Sequence, residues 1–176
     1  VEHFRHSMRH RGGVHLTREG VRLARRVGGC LGEFDRVLTS ELPRALETAI
    51  AMGYGVDAQI ALLGSLEDAD REVDWEAGCV VFAAAYRRRG RTYRAAQAHA
   101  QLLRREVDAL PDDGRLLVVS HGGVIELGVV GLLPDHDYTH WGPACGYCEG
   151  VRLHFEGTEC VRAEILRIPD LLGEPA

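Results

Sequence analysis

Residues 115 to 120, Arg-Leu-Leu-Val-Val-Ser, form an almost unbroken apolar run that ends on His121-Gly122-Gly123 and leads into a second apolar stretch up to about Leu133. A strand that is apolar on both faces must be covered on both faces. That is the condition of a central strand in a parallel sheet, whose neighbours are joined by helical crossovers. The rest of the chain supplies such crossovers, so the expected fold class is α/β.

Val1–His6 reads as a short strand that runs into a Gly-containing loop. Thr17 is placed as an N-cap, with Leu16 and Val21 as a hydrophobic staple. Leu23, Val27, Leu31 and Phe34 recur on one face and predict a helix from about 18 to 31. Arg36–Ser40 is the next strand, followed by a helix from Pro43, suited to a first turn, to about Met52, where Gly53 stops it. Residues 55 to 78 read as irregular and acidic. Two helices are expected at 79–89 and 92–110, separated by Gly90. A closing hairpin is expected from strands near 150–156 and 159–167, turning around Glu156-Gly157.

Composition removes several function classes. The chain has 176 residues, a length that suits a single domain over 1–176, and no apolar run approaches the ~20 residues of a membrane span. The polar start, VEHFRHSMRHRGG, is unlike a signal peptide, so a cytoplasmic location is expected. Five cysteines show no framework spacing, so reduced thiols are the expectation. A net charge of −5 gives no general attraction to a nucleic-acid backbone, so no nucleic-acid partner is expected. The sequence contains no lysine, and all 21 basic side chains are arginine. Schiff-base chemistry and a phosphate-loop lysine are thereby excluded, and any phosphate must be held by guanidinium groups, backbone N–H groups or histidine.

Three strand ends carry the reactive residues: Arg5, His6 and Arg9 after the first, Ser40 to Arg44 after the second, and His121 after the apolar run. In an open parallel sheet these ends share one edge, where ligands bind. Arg44 falls in the first turn of a helix, a place whose free N–H groups and dipole favour an anion, and a cation there calls for a compensating one. Gly122-Gly123 allows close backbone approach.

Four segments, in order, resemble the motifs of the histidine phosphatase superfamily, also called phosphoglycerate mutase-like. FRHSMR is similar to its nucleophile motif with His6 as nucleophile, LTREGVRLARRV to the helix that follows, VLTSELPRALETA to its second-arginine motif at Arg44, and LLVVSHGGVIELG to its second-histidine motif at His121. PACGYCEGVRLHF resembles its closing strand. The resemblance implies a three-layer α/β/α sandwich around a mostly parallel sheet. It also implies a cofactor-independent phosphatase acting on a small phosphomonoester through a covalent phosphohistidine, with no metal. His6 and His121 would be catalytic, and Arg5, Arg9, Arg44 and His121 would bind phosphate. The family's proton donor would fall in LEDADREVDWEAG, where Glu67 is the best positional match and Asp68, Asp70 and Glu72 compete.

The residue types fit that chemistry. An attacking imidazole needs a lone pair, and three nearby arginines penalise its protonated form while matching phosphoryl oxygens. The sequence departs from the family at Ser7, where glycine is usual and a side chain restricts the backbone beside the nucleophile. The branch motif carries Arg9 in place of the mutases' Asn, and the chain lacks the mutases' extra segments, so a phosphatase is favoured over a mutase-like phosphotransferase. A protein-phosphohistidine phosphatase and a catalytically silent phosphate-binding domain are the other readings. His3, His10, His15, His99 and His154 read as packed or surface residues. Cys145 and Cys148, with His136 and His140 nearby, have zinc half-site spacing but read as packed thiols entering a strand. Arg87-Arg88-Arg89-Gly90-Arg91 reads as a solvated face or a rim attracting anionic substrate.

Overall fold

The computed structural model describes residues 1–173. In chain order its elements are β1 (Glu2–Arg5), α1 (Arg18–Gly28), β2 (Arg36–Thr39), α2 (Pro43–Met52), a two-residue β3 (Ala58–Gln59), 3₁₀ turns at Ala61–Gly64, Ala69–Arg71 and Trp75–Ala77, α3 (Cys79–Arg87), α4 (Arg91–Asp108), β4 (Leu116–Ser120), α5 (Val124–Leu132), β5 (Gly150–Glu156), β6 (Glu159–Leu166) and α6 (Ile168–Leu172). The sheet order is β3-β2-β4-β1-β5-β6. The first four of these strands run parallel, and β5 pairs antiparallel with both β1 and β6.

β4 explains the layering. All five of its residues are buried, Leu116 and Val118 against the cluster under α3, α4 and α5, Leu117 and Val119 against the cluster under α1 and α2. The period of two along a strand thus feeds two separate cores, and the expected three-layer α/β/α sandwich is observed. The hairpin turns at Gly157, in the left-handed region, as its glycine predicts.

Local signals set the helix ends. Thr17 caps α1 by accepting from the Gly20 N–H at 3.0 Å. Gly20 itself lies against the Met8 carbonyl, where an added Cβ would come within 2.1 Å of the oxygen, so only glycine lets the loop after β1 rest directly on α1. α1 is shorter than the 18–31 expected. Gly28 meets the Met52 carbonyl at the end of α2, an added Cβ standing only 2.0 Å from that oxygen, and the helix stops there. Leu31 and Phe34 pack on the same cluster from the loop instead of from the helix.

α3 and α4 each end two residues earlier than expected, and α4 starts at Arg91. Its cap comes from far away: the Glu72 carboxylate accepts from the N–H groups of Arg91 and Thr92 and from the Thr92 hydroxyl at 2.8 to 2.9 Å. Those bonds hold Glu72 down at about 2. The segment 55–78, expected to be irregular, contains β3 and the three 3₁₀ turns.

Candidate active site

Because β2, β4 and β1 are adjacent and parallel, their carboxyl ends line one edge of the sheet, and His6, Ser40 and His121 follow them directly. The junction is stitched by backbone bonds from His6 N–H to the Ser120 carbonyl at 2.8 Å and from Ser40 N–H to the Val119 carbonyl at 3.2 Å. The His6 and His121 rings come together with centroids 5.1 Å apart. Both are nearly enclosed, at 4% and 8% exposure.

Two bonds fix the state of His6. Its Nδ1 lies 2.7 Å from the Ser7 carbonyl, which can only accept, so Nδ1 carries the proton. Its Nε2 receives a bond from Arg44 Nε at 3.1 Å and therefore offers a lone pair. Burial first, then the positive charges of Arg44, Arg5 and Arg9, outweigh the bond to Ser7 and hold the imidazole down at about 4. His121 is held at about 3 by burial, Arg44, His6 and Arg5, and its Nε2 lies 2.8 Å from the Ser40 hydroxyl.

The expected restriction at Ser7 is not a strain. Ser7 lies outside the positive-φ residues, its N–H donates to the Thr48 hydroxyl at 2.9 Å, and its own hydroxyl donates to the Gly20 carbonyl at 2.7 Å. The side chain that replaces glycine here fastens the nucleophile loop to α1, and the backbone N–H of the same residue fastens it to α2.

The arginines occupy distinct places. Arg44 is in the first turn of α2, half-buried, with burial and then the charges of Arg9 and Arg5 lowering its pKa. Arg5 donates to the Cys145 carbonyl at 2.9 Å and stacks against both Tyr147 and Trp75, its Cζ 4.7 and 5.1 Å from the ring centroids. Arg9 donates to the Gly13 carbonyl at 2.9 Å, within electrostatic reach of His6 and Arg44. The charged groups that act most strongly on His6 are Arg44, Arg5 and Arg9, and Arg44 and Arg5 act on His121 too, so the surroundings of the two rings are cationic.

The structure brings together His6, His121, Arg5, Arg9 and Arg44. Glu67 lies apart from their hydrogen bonds: it is exposed, at φ 50°, and lines a hollow with Asp68, Arg71, Arg91 and Arg94. Its neighbour Leu66 packs on Gly123 in the loop after His121, which puts Glu67 near the rim. Of its competitors, Glu72 is the cap of α4, and Asp68 pairs with Arg71 and Arg91 at 3.2 and 3.4 Å.

Sequence reasoning missed Glu126 and Tyr147. Glu126 is buried, and its two carboxylate oxygens accept from Gly123 N–H at 2.6 Å and Cys145 N–H at 2.9 Å. The capping position three residues into α5 was a readable signal for the first bond, and nothing in the sequence pointed to the second. Tyr147 sat inside a segment read for its thiols. Those thiols, Cys145 and Cys148, are buried and free, with burial pushing Cys148 up to about 12. His136 meets Tyr138 and Trp141 edge to face, and Arg89 lies over Tyr93. His3 and His99 are core residues, while His15 pairs with Glu47 and His154 with Glu164 at the surface.

Comparison with known proteins bears on the family and the fold. The profile of the histidine phosphatase superfamily (branch 1) matches residues 2–165. No curated protein sequence matches the chain. Among solved structures, phosphoserine phosphatase from Entamoeba histolytica, in complex with 3-phosphoglyceric acid, is similar with a TM-score of 0.63 at 19% identity, over 97% of this chain and 98% of that one. A mycobacterial glucosyl-3-phosphoglycerate phosphatase complexed with VO3 gives 0.62 at 17% identity, over 94% and 97%. A putative α-ribazole-5'-P phosphatase from Escherichia coli gives 0.54 at 21% identity, over 94% of each chain. The fold is thus that of phosphoglycerate mutase-like structures, and the chain belongs to the histidine phosphatase superfamily, branch 1, which places it among the phosphoric monoester hydrolases.

Proposed function

We propose that the protein hydrolyses a small phosphomonoester through a covalent phosphohistidine on His6. The observation that carries this reading is the His6 ring, whose proton is held on Nδ1 by Ser7 and whose Nε2 lone pair faces the Arg44 guanidinium with the His121 ring beside it.

In the first step Nε2 of His6 bonds to phosphorus as the bond from phosphorus to the leaving oxygen breaks. Arg44, Arg5 and Arg9 match the equatorial oxygens and stabilise their charge, with His121 as a further donor. Glu67 gives its proton to the leaving oxygen. In the second step water attacks phosphorus, its proton passes to the Glu67 carboxylate, and the phosphorus–nitrogen bond breaks to restore neutral His6 and release inorganic phosphate. No step needs a metal or a second hydroxyl acceptor, which separates this reading from a phosphotransferase. The place of action expected for such a protein is the cytoplasm.

The exposed position of Glu67 favours a second reading, hydrolysis of a phosphohistidine on another protein. A phosphoramidate leaves with less help from an acid.

A phosphomonoester turnover quenched in alkali is expected to retain phosphate on His6, and the same sample quenched in acid to lose it. His6→Ala should show no label. Label that survives acid, or persists in that variant, overturns the proposal.

A further inference from the structure

Tyr147 is the one aromatic side chain among the large exposed hydrophobics of the described residues, at 36% exposure. It stands beside the nucleophile, its ring centroid 5.7 Å from that of His6. Exposure of this kind ordinarily accompanies a mobile loop tip, yet this ring is carried on a fastened one. On either side of it Cys145 N–H donates to Glu126, Gly146 N–H to Glu149 at 2.8 Å, and Cys148 N–H to the Arg5 carbonyl at 3.2 Å. Cys145 and Cys148 are buried, and Cys148 takes a φ of 55°, a left-handed conformation that turns the chain back into the sheet.

Behind the ring, Arg5 is stacked against both Tyr147 and Trp75, so one aromatic surface reaches from the guanidinium that would meet the phosphoryl group out to the solvent-exposed rim. Arg9, by contrast, turns to Gly13, and His10 and Arg11 beside it are exposed polar residues. A phosphomonoester seated on His6 therefore has the fastened ring of Tyr147 beside it as an aromatic wall. Aromatic rings prefer offset-stacked or edge-to-face partners and repay a planar ring more than an aliphatic group of equal length.

On the phosphatase reading above, we infer that Tyr147 is the leaving-group wall and that the substrate is the phosphomonoester of an alcohol bearing a planar ring. Tyr147 selects among substrates by contact with the ring, and its separate contact with Arg5 is shared by every substrate.

Two measurements separate this inference from the reading it rests on. Benzylphosphonate is expected to bind the wild-type protein about tenfold tighter than methylphosphonate, a difference that needs no turnover, and Tyr147→Ala should level the two while Tyr147→Phe preserves it. In hydrolysis, the ratio of kcat/KM for benzyl phosphate over ethyl phosphate, both alkyl alcohol leaving groups, should fall about tenfold in Tyr147→Ala. Equal binding of the two phosphonates by the wild-type protein, or equal losses on both esters in the variant, would overturn the wall. A phosphonate preference that depends on Tyr147, without hydrolysis of either ester, would support the wall and count against the phosphatase reading.

Discussion

Acid should unfold this protein unusually early. His3, His6, His99 and His121 are all buried, at 1%, 4%, 1% and 8% exposure, and burial holds them at about 3, 4, 4 and 3. In the unfolded chain each titrates near 6.5. Below that pH the unfolded state takes up protons that the folded state refuses, so stability is complete above about pH 7.5 and is lost as pH falls, until the folded values are reached. At pH 5 each histidine has withdrawn about 2 kcal/mol, and the four together about 8 kcal/mol, against a total stability of roughly 5–15 kcal/mol for a domain. The limiting slope is about 5.4 kcal/mol per pH unit, four protons' worth. Urea unfolding followed by circular dichroism at half-unit steps from pH 8 to 5.5 should show a flat upper region and then a slope approaching three to four protons. His99→Gln, which keeps a donor for the Ser65 carbonyl that His99 faces at 3.1 Å, should remove one proton from that slope. A slope below two protons near pH 5.5, or an unchanged slope in the variant, would show that these imidazoles are not held neutral by burial.

Arg44→Ala should lower kcat/KM on any phosphomonoester by on the order of a hundredfold or more, because it removes a donor aimed at developing phosphoryl charge; steady-state kinetics with unaltered rates would take Arg44 out of the site. The same change removes a positive neighbour of His6, so the imidazole should titrate higher in the variant by histidine NMR. Glu67→Gln should depress hydrolysis of alkyl phosphates far more than that of aryl phosphates, whose leaving oxygens need no proton, and parallel losses would argue against the acid role.

The parts legible in the sequence were those whose signal is local. The apolar run ending in Ser120 announced a strand buried on both faces, Thr17 announced a cap, and the positions of His6, Arg44 and His121 after strands announced a common edge. What escaped depends on chain brought in from elsewhere. The cap of α4 comes from Glu72, 19 residues upstream, where only Gly90 stood in the local sequence. The end of α1 is set by the approach of Gly28 to Met52 on another helix. β3 is two residues long and has too few side chains to show a period, and α6 is only five residues long, with Pro169 in its first turn. Tyr147 was hidden because two cysteines around it carried the more familiar spacing. The role of Ser7 was readable as a departure but not as a fastening, since its partners Thr48 and Gly20 lie on two different helices.

The carboxylate of Glu126 couples parts of the site that are remote in sequence. One oxygen holds the loop behind His121, the other holds the strap at Cys145, and the carbonyl of Cys145 in turn receives Arg5. A pull on any one of these three segments is therefore transmitted to the other two, and they behave as a single jaw anchored to α5. The remaining cations of the site rest on the other helices: Arg9 lies in a loop held to α1 and α2, where Thr17 N–H donates to the Met8 carbonyl at 2.9 Å and Leu16 N–H to Glu47 at 2.8 Å, and Arg44 is carried on α2 itself.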